Sequence, residues 1–346
     1  MYMKLLKRLS EAGGVPGHEG KIRGIISEVL KAKAETIETD QLGNLIAHLP
    51  GDGPVVMIAA HMDEIGFIVS YIEKDTGFLR IHPLGGFDVK TLIAQRVIVH
   101  TEAGDLVGCI GAKPIHIMTA EERKKLPEMK DLFVDLGLTE KRVRELVAVG
   151  DMVTMRQDFL VGEEVVTGKA LDDRAGVYIG IEAIKRAKKI ACDLYFVGTT
   201  QEEVGLRGAQ VAGFAVHPQI AIALDTTLAV DMPGVPGAQQ VTKLGEGVAI
   251  KIADSSSISH VGLVRAMKNL AMERKIPYQM EILPRGGTDA GSMQRAGSGC
   301  AAITLSLPSR YVHSVVEMAH QDDLDAAISL LAAFLETADS VDLSAG

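Results

Sequence analysis

Tryptophan is absent from the 346-residue chain, and aromatic residues make up only 4% of it. A sugar cleft floored by aromatic platforms is hard to build from such a composition. Cysteine is scarce too: Cys109, Cys192 and Cys300 are far apart, odd in number and free of any CxxC or Cys/His spacing. That excludes a disulfide framework and a zinc–thiolate site and leaves buried free thiols. No apolar run reaches the ~18 residues of a membrane span. Basic clusters interleaved with aromatics are missing, and the net charge is −9, so neither nucleic acid nor an anionic membrane suits this surface. The stretch Met1–Leu9 reads as amphipathic, without the apolar h-region and small-residue cleavage site of a signal peptide, so a cytoplasmic location is expected.

What remains is an ordinary globular composition, 47% apolar and 23% charged, long enough for two domains or for one large domain carrying an insertion. The periodicities predict helices at 3–12 and 19–33 and short strands at 35–39 and 45–49. A continuous apolar strand, 54–60, follows and ends in His61-Met62-Asp63. From about 66 to 164 the pattern changes to short β-like runs (67–72, 78–81, 96–100, 106–110, 151–155 and 159–161), with helical character at 119–131 and 139–148. A helix from Gly168 through about Lys188 then reopens the α/β pattern. Strand 193–200 leads to Gln201-Glu202-Glu203, a helix near 208–214 follows, and strand 219–224 ends at Asp225. After a Gly/Pro-rich loop at 232–247 come strand 248–253, helix 259–274, the glycine-rich loop 284–291, strand 301–307, Tyr311-Val312-His313-Ser314 and a final helix, 322–338. The expected architecture is α/β, a mixed, largely parallel sheet flanked by helices, with an inserted mainly-β domain. Residues 1–65 plus 165–346 form the α/β part and 66–164 the insertion.

Polar clusters at His61, Glu202-Glu203, Asp225 and His313 all follow strands, and Asp172 stands where a helix begins. In an open, largely parallel sheet the strand C-terminal ends line the crevice that binds ligands. Two adjacent glutamates after an apolar strand cannot both be buried unpaired, and imidazole with carboxylate suits Zn, Co or Mn. Each piece also has a plainer reading. Asp172-Asp173 could cap a helix, which for Asp173 is the preferred role. Glu202-Glu203 could start a solvated helix, His61 could be a satisfied core histidine, Asp225 could cap a turn and His313 could be an ordinary loop residue. The Gly286–Gly291 loop resembles an anion-binding nest before a helix.

The segments His61-Met62-Asp63-Glu64-Ile65-Gly66, Leu171-Asp172-Asp173-Arg174, Gln201-Glu202-Glu203-Val204-Gly205-Leu206-Arg207-Gly208, Asp225, Gly286–Gly291 and Tyr311-Val312-His313-Ser314 together resemble the M42 family of metallo-aminopeptidases. These are zinc exopeptidases of the glutamyl and leucyl, tetrahedral-aminopeptidase type, and some members are labelled endoglucanases. The resemblance implies two divalent metal ions per subunit, zinc first, with cobalt or manganese as alternatives. It implies that Asp172 bridges them, that His61 and Asp225 complete one site and that Glu203 and His313 complete the other. Glu202 becomes the general base that activates a metal-bridging water, and Asp63 orients the His61 ring. Charge is consistent with this: two divalent cations against three carboxylates leave an excess of about +1 that a hydroxide neutralises. The resemblance also implies that the Gly286–Gly291 loop lies near the active site, which puts Thr288 and Asp289 forward as pocket residues, and that the substrates are short peptides with a free N-terminus. The insertion is implied to mediate dimerisation within a dimer or dodecamer.

Two other activities share parts of this pattern. A metal-dependent deacylase of N-acyl amino acids would use every proposed ligand, and a glycoside hydrolase would use Glu202 with a second carboxylate. A non-catalytic binding protein would not need the complete ligand set.

Overall fold

The stretch Val55–His61 has six of its seven residues buried, as a strand covered on both faces must. The computed structural model describes residues 3–344, so Met1 and Tyr2 of the N-terminal stretch lie outside the described residues. In chain order the strands are β1 Thr36–Thr39, β2 Leu45–Leu49, β3 Val55–His61, β4 Gly66–Ile72, β5 Leu79–Leu84, β6 Arg96–Thr101, β7 Gly104–Gly111, β8 Phe133–Asp135 and β9 Met152–Met155. They continue with β10 Leu160–Val161, β11 Val165–Gly168, β12 Asp193–Thr199, β13 Ile220–Leu228, β14 Val248–Ala253, β15 Tyr278–Ile282, β16 Ala301–Arg310 and β17 Glu317–His320. The helices are α1 Lys4–Glu11, α2 Gly20–Leu30, α3 Glu140–Leu146, α4 Leu171–Arg186, α5 Arg207–Val216, α6 Val261–Arg274, α7 Asp289–Met293 and α8 Gln321–Leu335.

One large mixed sheet runs β1-β2-β12-β3-β13-β16-β17-β11-β10, with β14 and β15 branching from β16. Its centre, β12, β3, β13 and β16, is parallel. Alternate residues of β3 face two different cores. Val56, Ile58 and Ala60 pack with α1, α2, α4, α6 and α8, whereas Met57 and Ala59 pack with α5 and α7. The second layer is alanine-rich (Ala209, Ala212, Ala221, Ala223, Ala290, Ala302), which lets α5 approach the sheet closely. Strands β4-β5-β8-β7-β6-β9 close a separate antiparallel barrel around its own core of Phe67, Val69, Leu79, Val97, Val99 and Val153.

Several boundaries differ from the sequence expectation. Residues 119–131 form two single 3-10 turns, Glu122–Lys124 and Met129–Asp131, and not a helix. Pro127 removes a backbone donor from the middle of the segment, and Leu126 beside it is 72% exposed, so there is no buried face to stabilise one. Strands β8, β11, β15 and β17, only three to five residues long, carry too few residues to show a period. Read with the β-rich region, 159–161 supplies β10, which pairs with β11 in the large sheet. Strand β13 does not stop at Asp225 but continues to Leu228, because it stays in register with β16 from Ile220↔Ala301 to Leu228↔Ser309. No helix of the described residues is long and apolar enough to cross a membrane.

Candidate metal centre

The central strands set the site by register. Strands β3 and β13 pair from Val56↔Ile220 to Ala59↔Ala223 and no further. His61 and Asp225 lie two residues beyond the last pair, so both project from the same face where the sheet opens. Strand β12 stays paired to Thr199↔His61, and the chain then turns through Thr200 and Gln201 to Glu202 and Glu203. From the other side, β16 ends at Arg310 and leads directly into Tyr311–Ser314, which carries His313. Asp172 comes from the start of α4, where Asp172 and Asp173 are still non-helical.

These segments meet around Asp172. Its Oδ1 is 3.1 Å from His61 Nε2 and its Oδ2 is 3.5 Å from His313 Nε2, which lies 3.3 Å from Glu203 Oε1. Ligand atoms of His61, Asp172 and Asp225 lie within 4.8 Å of one another, and so do those of Asp172, Glu203 and His313. A third set within the same spacing joins His61, Glu202 and Glu203; Asp172 belongs to the first two. Glu202 faces the same space with Oε2 at 4.0 Å from His61 Nε2. Asp63 is placed differently from a simple ring partner. The His61 Nδ1 is 3.1 Å from the Asp63 backbone carbonyl and 3.6 Å from its carboxylate. The carboxylate oxygens also accept from the backbone N–H groups of Glu202 and Glu203, each at 3.1 Å.

Around this cluster stand further groups: the sequence put forward Asp173 as a helix cap and Thr288 and Asp289 as pocket residues, but gave no role to Glu64, Arg174 or Glu317. Asp173 accepts from Gly176 N at 2.9 Å, a helix-capping contact, and also from His61 N at 3.1 Å. A Cβ on Gly176 would meet that carboxylate at 2.2 Å, so only glycine fits. Glu64, inside the His61 motif, is buried against Lys169 Nζ at 2.6 Å, and Arg174 binds the carbonyls of Leu9, Ala12 and Gly14. Glu317 is buried and accepts from the backbones of Asp172 and His313. It sits on a four-residue strand that the sequence pattern did not reveal, and a carboxylate four residues after His313 was its one available signal. Asp289 is buried and accepts from Thr199 Oγ1, while its Oδ1 has no partner among the described residues. Thr288 lines the cleft.

The electrostatics are those of a cation site. Burial pushes Glu202 well above the usual carboxylate range; His61 opposes this, while Asp225, Asp289 and Glu203 add to it. Asp225 is raised well above its ordinary value by burial and then by the charge of Asp172. Burial also raises Glu203, against the pull of His313, and raises Asp289 to about 6. Asp172 alone is lowered: burial would raise it, but hydrogen bonds from His313 and His61 outweigh that. Burial would lower both imidazoles. His61 is nonetheless raised well above its usual value by Glu202, Asp172 and Asp63, and His313 to about 12 by Asp172 and Glu203. A buried excess of carboxylate is relieved by divalent cations, and carboxylate–imidazole donors suit Zn, Co or Mn. The residues fit metal ions. Asp172, Glu202, Glu203, Asp225 and His313 line a cleft of about 570 Å³, which continues past Leu206, Leu228, Leu283 and Thr288 and is large enough for a short peptide end.

The model of the M42 glutamyl aminopeptidase family matches residues 43–330. The lysyl aminopeptidase of Pyrococcus furiosus is 37% identical over 99% of both chains. The solved structure of a TET aminopeptidase from a marine-sediment Thaumarchaeota archaeon superposes with a TM-score of 0.95 at 37% identity, covering 97% of this chain and 96% of that one. The Pyrococcus horikoshii TET1 peptidase, described as assembling into a tetrahedron or a large octahedral shell, gives 0.86 at 34% identity, over 96% and 98% of the two chains. Spanning most of the family model and nearly the full length of these relatives, the chain belongs to the M42 glutamyl aminopeptidase family and is a metal-dependent aminopeptidase.

Proposed function

We propose that the chain is a dinuclear-metal aminopeptidase that removes the N-terminal residue from short peptides, with Glu202 as its general base. The observation that carries this reading is the position of Asp172, one carboxylate facing an imidazole on each side, His61 at 3.1 Å and His313 at 3.5 Å. A bridging ligand needs that placement. His61 and Asp225 would hold one ion with Asp172, and Glu203 and His313 the other. Zinc is the first choice, with cobalt or manganese open. When bound, the ions supply Lewis-acid polarisation of the scissile carbonyl and acidify the attacking water.

The chain's own residues do the rest. Glu202 takes a proton from the water and returns it to the leaving amine, a task suited to a carboxylate raised by burial. Asp63 fixes the two glutamates by their backbones, so adjacent residues keep separate tasks. The acidic lining favours an α-ammonium group, which accounts for a preference for free N-termini. The barrel, part of the proposed 66–164 insertion, would serve assembly into a homo-oligomer, the state named for the Pyrococcus horikoshii relative. A cytoplasmic location fits free cysteines and peptide substrates.

The test is metal removal. Exhaustive chelation is expected to abolish release of p-nitroaniline from aminoacyl-p-nitroanilides, and Zn, Co or Mn to restore it. N-acetyl amino acids should not be cleaved. Activity that survives chelation sinks the proposal, and cleavage of only the N-acyl compounds replaces it with a deacylase.

A further inference from the structure

Glu317 is the first residue of β17, buried to 2% exposure. Its Oε2 accepts from Asp172 N at 3.0 Å and its Oε1 from His313 N at 2.8 Å. One side chain thus grips the backbones of two residues from segments far apart in sequence, both in the triad with Glu203. With both oxygens directed at N–H donors, Glu317 is not itself offered to a cation. Each gripped segment carries a non-glycine residue in the left-handed region: Ala170 with φ 55°, two residues before Asp172, and His313 itself with φ 62°. Such conformations persist only where the surroundings over-determine them. The His313 segment has a second anchor in Val315, which is buried in the barrel core. Gly86, in the connection that follows β5, lies so close that a Cβ there would stand 3.5 Å from His313 Nδ1.

We propose that Glu317 is a positioning residue for the metal centre: it sets the separation of Asp172 and His313, and with it the affinity of the Asp172–Glu203–His313 side for a divalent cation. The proposal rests on the two-metal reading above. Asp63 does the equivalent for Glu202 and Glu203, so two buried carboxylates hold four of the site residues by their backbones. Outer partners of metal ligands characteristically change affinity or activity about 10–100-fold when lost. Gln at 317 keeps one acceptor and turns an amide N–H₂ toward the other donor. Leu keeps none and leaves two buried N–H groups unpaired, a larger loss.

Full-length chain freed of metal by chelator dialysis would be titrated with Zn²⁺ against a chromophoric chelator, reading stoichiometry and affinity for wild type, Glu317→Gln, Glu317→Leu and His313→Ala. Glu317→Gln is expected to stay folded by circular dichroism and to lose about 10–100-fold in affinity for one of two ions. At limiting zinc its kcat should fall with KM unchanged, because Glu317 lines only the small pocket of about 20 Å³ beside Asp172, Glu203 and His313 and not the 570 Å³ cleft, and excess zinc should restore kcat. Glu317→Leu should be weaker still; should it not fold, the Gln variant decides. Wild-type zinc affinity in Glu317→Gln, with binding weakened in His313→Ala, overturns the role of Glu317 alone. A wild-type chain that binds no zinc, or His313→Ala binding as tightly as wild type, overturns the two-metal reading and this proposal together.

Discussion

Glu202 and Glu203 are neighbours on one turn, gripped by the same Asp63, yet they face different partners. Glu203 meets His313 at 3.3 Å, while Glu202 opens on the cleft near His61. A Gln substitution at each should separate the two proposed roles, since the amide keeps shape and removes charge. Glu202→Gln is expected to bind zinc as wild type does and to lose about 10²–10⁴-fold in kcat. Glu203→Gln is expected to lose zinc first and activity only as a consequence, so that added zinc recovers part of it. Parallel zinc titrations and kcat measurements check this, and a fully active Glu202→Gln removes Glu202 as the base. At this scale the sequence was informative for the side chains proposed to carry the chemistry: His61, Asp172, Glu202, Glu203, Asp225 and His313 all converge. It was poor where a side chain serves other residues' backbones. Glu317, and Asp63 in its grip on Glu202 and Glu203, act on N–H groups brought near only by folding, and no spacing rule announces such a contact.

Elements were legible in proportion to their length and cover. The continuous apolar runs of β3 and β12 and the long helices α4, α6 and α8 gave clear periods, whereas β8, β11, β15 and β17 exist only through their neighbours. Strand β6 illustrates how an element can carry a titratable contact invisible in its pattern. His100 lies under the connection between α1 and α2, so that a Cβ on Gly13 would stand 2.8 Å from its Nε2. The ring meets Thr154 Oγ1 at 2.9 Å through Nε2 and Asp105 at 2.7 Å through Nδ1. Lys21 Nζ lies 3.5 Å from Nδ1, and the Glu64 charge also reaches the ring. Burial lowers its pKa below 6.5, helped by Lys21 and opposed by Asp105 and Glu64. A base whose folded pKa is depressed favours the neutral ring, so its contribution is fully present above the unfolded value near 6.5. It is lost as pH falls from there through the folded value. The Tm of the wild-type chain should therefore drop more steeply between pH 7 and 5 than that of His100→Gln, in which the group cannot titrate. Parallel Tm–pH curves for the two would disprove the assignment.

The whole molecule joins two closed hydrophobic systems, a sheet covered on both faces and a barrel with its own core. Their separation was visible in the sequence as the change from long α/β periods to short β runs, though the barrel's closure and the return of β10 to the large sheet were not. Register and pairing depend on partners far along the chain, which single-segment periodicity does not contain. The connection between β7 and β8 leaves apolar side chains outside: Ile115 and Leu126, 60% and 72% exposed, line a surface cavity of about 830 Å³, and Ile117, 66% exposed, shares a 3-10 turn with Ile115. Large exposed apolar side chains gathered on one face are a common mark of association surfaces. If the barrel mediates assembly, light scattering of the wild-type chain gives a multiple of 36.9 kDa. Ile117→Glu with Leu126→Glu should shift the mass toward the monomer, because burying two unpaired carboxylates in a subunit contact is strongly unfavourable. The large sheet and its ligand cluster are not touched by either change, so zinc stoichiometry should stay as in wild type. A wild-type mass of one subunit at all concentrations rules assembly out, and an unchanged multimer in the double variant moves the contact away from this face of the barrel.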